Sequence, residues 1–170
     1  MTALNVVAKD DLCPLVTLLR GIPKPIPYTE YPAIFEQLGW VNSRRRGGRS
    51  NFAISFPDAS VTEQRGNVSK FGAYVSDSLD PNDPNAPQAV RDAFPEVKQS
   101  VTDCIGFEPT GTPLHYEGAD WELEDGSVIR LHMGEIVIEL MFLSKLLADV
   151  ERYERRHGID LDQPMEEIDA

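Results

Sequence analysis

Leu12, Leu15, Val16 and Leu19 recur at the spacing of one helical stripe, so residues 9–20 (KDDLCPLVTLLR) are predicted to form a short helix. Asp10 stands where a cap is needed, and Pro14, tolerated only in a first turn, argues for a late start. Pro23, Pro25 and Pro27 then deny residues 21–28 helical hydrogen bonds and predict a stiff extended connector. A second helix is expected from Thr29 as cap, with Pro32 in its first turn, Ile34, Phe35 and Leu38 inward, and Gly39 at its left-handed end.

Period-two alternation takes over next. Trp40 and Val41 begin a strand that runs into Arg44, Arg45, Arg46, Gly47, Gly48 and Arg49, where the glycine pair reads as a hairpin tip. NFAISF (51–56) reads as the following strand, with Phe52, Ile54 and Phe56 on one face, and a further strand covers roughly Val68–Ser76. Residues 77–87, rich in Pro, Asp and Asn, form a loop. A helix is predicted from about Gln88 to Cys104, ended by Gly106, with Pro95 either kinking or splitting it. Residues 119–142 read as a three-strand meander. A two-residue turn between its first strands would oppose Glu122 to Ile129 and mix polar with apolar residues. A three-residue turn, Glu124–Asp125–Gly126, opposes Trp121 to Ile129 and Asp120 to Arg130, and is preferred. Ser144 caps a last helix, 145–157, whose expected stripe is Leu146, Leu147, Val150 and Tyr153, with Glu151 and Arg155 as an i, i+4 pair.

These elements predict an α+β fold: an antiparallel β-sheet of about five to seven strands with helices packed on one face. Length and composition agree. The chain has 170 residues, 41% of them apolar, which suits one domain over 1–157, with 1–28 as N-terminal helix and Pro-rich connector. Residues 158–170 carry five acids and no base and are expected to form a loosely ordered tail. The formal charge of −12 works against nucleic acid and anionic membrane as partners and favours a basic protein surface. No run of 18 apolar residues exists. Cys13 and Cys104 form no CxxC pair, and Met1–Ala8 lacks a leader's basic and apolar regions. The expectation is two free thiols in a reducing cytoplasm.

Catalytic chemistry has little to draw on. HExxH, GxSxG, P-loop and dinucleotide fingerprints are absent. His132, Asp120 and Cys104 can be written as a triad only by free choice of positions. Asp80, Asn82, Asp83 and Asn85 have the composition of a calcium loop without its glycine and distal glutamate, and turn chemistry accounts for them. No catalytic residue, metal or cofactor is therefore assigned. The Arg44–Arg49 cluster reads as a solvated hairpin tip. The remaining candidates are acidic: Asp120, Glu122 and Glu124 on one strand face with Asp125 at its turn, and Asp80 and Asp83 in the 77–87 loop, all as partner-binding elements.

AIFEQLGW, VRDAFPEV, the GFEPTG turn and DWELEDGSVIRL, in that order between roughly Thr29 and Phe142, resemble an uncharacterised actinobacterial family of short intracellular proteins. In size, acidity and lack of catalytic motifs such proteins are similar to immunity proteins of polymorphic-toxin or type VII secretion loci. The resemblance implies an antitoxin that occludes the active site of a cognate toxin domain, itself bearing an electropositive cleft for nucleic acid or NAD. A secretion chaperone or adaptor for a cargo protein is the alternative, and a small enzyme of unknown reaction a further one. No pattern specifies an oligomeric state.

Overall fold

The computed structural model describes residues 4–158. The helix α1 spans Lys9–Gly21, with Leu12, Leu15, Val16 and Leu19 buried as the stripe requires. It starts earlier than Pro14 suggested. Pro14 lies on its exposed side, where the carbonyl it leaves unbonded faces water. One 3₁₀ turn, Tyr28–Glu30, leads into α2, Tyr31–Leu38, which ends at Gly39 with φ +78°. The Thr29 cap does not form: Glu30 holds the cap position and no side chain bonds there.

Strands β1 (Val41–Arg44) and β2 (Gly47–Arg49) form a hairpin, but the glycines are not its tip. Arg45 and Arg46 turn the chain, Arg46 with φ +63°. Gly47 and Gly48 lie within β2 because nothing larger fits. A Cβ on Gly48 would stand 1.9 Å from the Val41 carbonyl oxygen, and one on Gly47 2.3 Å from that of Ala59. NFAISF is likewise not a strand. Residues 50–57 form a connection closed by a bond from Ser50 N to the Pro57 carbonyl at 2.9 Å. The next strand is β3, Asp58–Gln64, joined to β4, Asn67–Tyr74, by the two-residue turn Arg65–Gly66, both at positive φ.

After the 77–85 loop, α3 runs Ala86–Ile105 without a break at Pro95, which is exposed, and stops at Gly106. The meander follows as β5 (Gly118–Glu122), β6 (Val128–Met133) and β7 (Ile138–Leu143). Its first turn has the register that face-matching selected: Trp121 opposes Ile129 and Asp120 opposes Arg130, with Gly126 at φ +91°. The final helix α4, Lys145–His157, is capped by Ser144, whose Oγ accepts from Leu147 N at 3.3 Å. The acidic tail beyond Gly158 lies outside the described residues.

All seven strands join one antiparallel sheet in the order β1-β2-β3-β4-β7-β6-β5. Its centre is the β4–β7 ladder, which pairs Phe71 with Phe142, Gly72 with Met141 and Tyr74 with Glu139. One face carries the main core: Phe71, Trp121, Ile129, Leu131, Leu140 and Phe142 pack under α1, α2 and α3. Among the described residues, the helix on the other face is α4, at the β5–β7 end, where Ala148 meets Val128 and Leu143. That helix is shallowly docked. Of the expected stripe Leu147 is partly buried and Val150 remains 37% exposed, because ion pairs with the sheet hold much of the contact.

Cys13 on α1 and Cys104 on α3 form a disulfide, with Cα atoms 5.1 Å apart. This corrects the expectation of two free thiols. The packing of α1 against α3 brings together residues 91 positions apart, a juxtaposition no local pattern encodes. The argument from free thiols to a reducing compartment falls with it.

Candidate binding groove

Beyond α4, no described residue forms a further layer over the second face of the sheet. Antiparallel pairing lines up side chains across it: His132 on β6 opposes Glu139 on β7, which opposes Tyr74 on β4. On β3, Asp58 precedes the Ala59–Ala73 pair and lies at the far end of this row, bonded to Arg44 at 2.6 Å. The groove between the row and α4 has a volume of about 340 Å³; Lys70, Tyr116, His132, Glu139, Met141 and Val150 are among its lining residues.

Glu139 is the unusual group on its floor. A strand position flanked by Ile138 and Leu140, both buried, is an expensive place for a carboxylate. Room for it comes from Gly72 on the adjacent strand: Oε2 lies 2.7 Å from where a Cβ would stand. Burial pushes the Glu139 pKa up, Lys70 pulls it partly back, and Asp58 pushes it further up; among the described residues no hydrogen bond stabilises the carboxylate. Burial, with Arg130 and Lys70 nearby, pushes the neighbouring His132 down, so its ring is neutral at pH 7. Burial and the Glu139 and Asp58 charges push the Tyr74 hydroxyl up.

Apolar groups stand on and beside this floor. Tyr116, 56% exposed, stands edge-on to His132 with centroids 5.2 Å apart. Phe56, also 56% exposed, leans on Tyr74 at 6.0 Å. Val150 completes the rim from α4. Among the described residues these are three of the four large hydrophobics left exposed, with Val41 the fourth. Their gathering on one face is the pattern of a contact patch rather than of scattered surface residues.

The acidic residues singled out from the sequence have other occupations. Asp120 forms a two-pronged pair with Arg130, at 2.8 and 3.0 Å, and Arg130 also bonds Glu151 at 2.8 Å. The Arg130 side chain is only 6% exposed; burial opposes its charge, yet the bonds to Asp120 and Glu151 outweigh that and raise its pKa. Glu151 is thereby taken from Arg155, which bonds the Thr112 carbonyl instead. Glu122 pairs with Arg152 at 3.0 Å. Glu124 pairs with Arg20, whose hydrogen bond lowers its pKa. Asp125 pairs with Lys24 at 2.9 Å. Asp80 and Asp83 accept from the backbone N–H groups of Asn82 and Asn85, each at 2.9 Å, as turn residues do. The structure thus matches four of the six each to a base on another element and uses the other two to close turns. The disulfide removes the Cys104 thiol from any grouping with His132 and Asp120.

Glu139 was legible in one respect only. It is the single charge in IVIELMFL, on the strand face opposite the core. Its lack of a partner and the space over Gly72 depend on β4, some 70 residues away in the chain.

Fold and groove define an α+β protein with a half-covered antiparallel sheet and an apolar-rimmed, carboxylate-floored groove on its open face. Residues 10–144 match the family of unknown function DUF6301, and the chain belongs to that family. The match runs from α1 to the cap of α4, so it includes every strand of the groove. Comparisons with curated proteins and with solved structures find no match.

Proposed function

We propose that the protein is an immunity protein, which binds a cognate secreted toxin domain through the open sheet face and occludes its active site. The observation that carries this reading is Glu139: a half-buried carboxylate that accepts no hydrogen bond from the described residues, on a groove floor that Tyr116 and Val150 also line, with Phe56 beside it on Tyr74. An inserted Arg or Lys side chain adds a hydrogen-bonded counter-charge where Lys70 compensates Glu139 only in part, while the aromatic groups beside it exclude water around the new pair. A toxin cleft built to bind nucleic acid or NAD presents such side chains. The chain's net charge of −12 accelerates the encounter. The strand acids serve less well, because engaging them costs the internal pairs they already make.

The test combines a secreted toxin domain that this protein binds with the protein itself in an activity assay and a calorimetric titration. Inhibition at equal stoichiometry, lost on Glu139→Lys, is the expected result. Inhibition unaffected by Glu139→Lys removes the groove from the interface. A tight complex with catalysis untouched replaces immunity by the chaperone or adaptor role. The reading places the encounter in the cytoplasm, where glutathione keeps thiols reduced, and so requires the fold to hold without the Cys13–Cys104 bond.

A further inference from the structure

A second concavity lies at one end of the sheet and shares no lining residue with the groove. It has a volume of about 430 Å³, within the range of small-molecule sites. Four elements converge on it: the connector at Lys24–Ile26, the β3–β4 turn, the β5–β6 turn and the start of α4. Ile26, Val68 and Phe142, each no more than 2% exposed, line it together with Leu146. The cavity wall is therefore mostly hydrocarbon.

Its polar groups are mainly cationic or hydrogen-bond donors. Lys24 sits 5.9 Å from the Phe142 ring centroid and spends two of its three N–H donors on the Arg20 carbonyl and Asp125, both at 2.9 Å. Arg65 stands at the exposed β3–β4 turn and makes no ion pair with the acids of the described residues. Lys145 opens α4 and pairs with Asp149 at 2.7 Å. Among the described residues the one acid lining the cavity, Asp125, is already engaged by Lys24 and Ser127. The first turn of a helix leaves four N–H groups without intrahelical partners. Ser144 caps that of Leu147, while Lys145 and Leu146 line the cavity.

We infer that this cavity is a binding site for a small amphiphilic carboxylate. The hydrocarbon tail lies against Ile26, Val68, Phe142 and Leu146, and the carboxylate meets the start of α4 beside Arg65 and Lys145. Either half alone gives less: a short anion loses the apolar contact, and a neutral chain leaves the donors unmatched. The site is independent of the toxin-binding reading and stands or falls without it.

The test titrates the full chain with octanoate, 1-octanol and acetate, followed by calorimetry and by amide chemical shifts. Octanoate is expected to bind saturably at one site, shifting the amides of Val68, Phe142, Lys145 and Leu146. Octanol and acetate bind at least about tenfold more weakly, a difference of about 1.4 kcal/mol. Arg65→Glu lies on an exposed turn and retains the native spectrum; it weakens octanoate about tenfold, and Arg65→Gln does so by less. Leu146→Trp fills the cavity and abolishes binding. Octanol binding as tightly as octanoate, shifts mapping elsewhere, or octanoate binding indifferent to Arg65→Glu and Leu146→Trp each overturns the inference. So does the absence of saturable octanoate binding.

Discussion

The Glu139 carboxylate lies over Gly72, its Oε2 2.7 Å from the point where a side chain on the neighbouring strand would begin. The missing Cβ and the misplaced charge are one feature: the glycine makes the space and the carboxylate uses it. Because the close atom is the end of a flexible side chain, Gly72→Ala is expected to fold and to displace the carboxylate. Toxin binding should weaken about tenfold while the unfolding midpoint changes little. Paired calorimetric and urea titrations check both, and unaltered binding would separate Glu139 from recognition.

Glu139 also sets a pH dependence. Its pKa is raised in the fold, so the stability it contributes is fully present below its ordinary 4.5 and is lost as pH rises through the folded value. Glu139→Gln removes that loss. The variant should therefore be more stable than the parent at pH 7, and the difference should vanish in acid below 4.5. Urea midpoints at both pH values measure this.

His132 has the opposite sign. Its pKa is depressed, so its contribution is complete above the ordinary 6.5 and is lost as pH falls from there through the folded value. His132→Phe should flatten the decline in stability as pH falls below 6.5 and should leave the opposite-signed Glu139 effect, which sets in above 4.5, in place. A parent and variant that decline in parallel would show that His132 is not desolvated.

Arg130 ties β5, β6 and α4 together through Asp120 and Glu151. Arg130→Ala strands two acids in a nearly closed space and should cost about 3–5 kcal/mol. The Glu151 Oε1 is buried without a partner, so Glu151→Gln, which removes a charge and keeps the shape, should cost much less. Equal losses in the two variants, read by chemical denaturation, would mean that Arg130 is not the node of the network.

The Cys13–Cys104 bond closes a loop across 91 residues. Replacing both by serine should lower stability by about 4 kcal/mol through the freed unfolded chain, with the α1–α3 packing retained. Thiol titration of native protein should find no free group until a reductant is added. Two titratable thiols in protein from an oxidising medium would contradict the pairing.

Local rules determined much of this protein. The three-residue β5–β6 turn followed from matching apolar to apolar residues across one face, and Trp121 does oppose Ile129. Ser144 caps α4, and Gly39, Gly106 and Gly158 end helices, because a cap or a left-handed stop acts within one turn of chain. What failed locally was decided at a distance. NFAISF alternates like a strand, yet Phe52 is drawn into the core beside Trp40, and Asp77 bonds Ser55 N at 2.8 Å. Gly47 and Gly48 look like a turn and instead admit neighbouring strands. The acids of β5 look free in sequence, but Arg20, Lys24, Arg130 and Arg152 reach them from elsewhere in the fold. Glu139 looks like an ordinary outward residue and becomes a desolvated charge only when β4 and β6 flank it. Periodicity reports which way a side chain points from its own strand; its neighbours are set by long-range pairing, and charge, burial and sulfur chemistry depend on those neighbours.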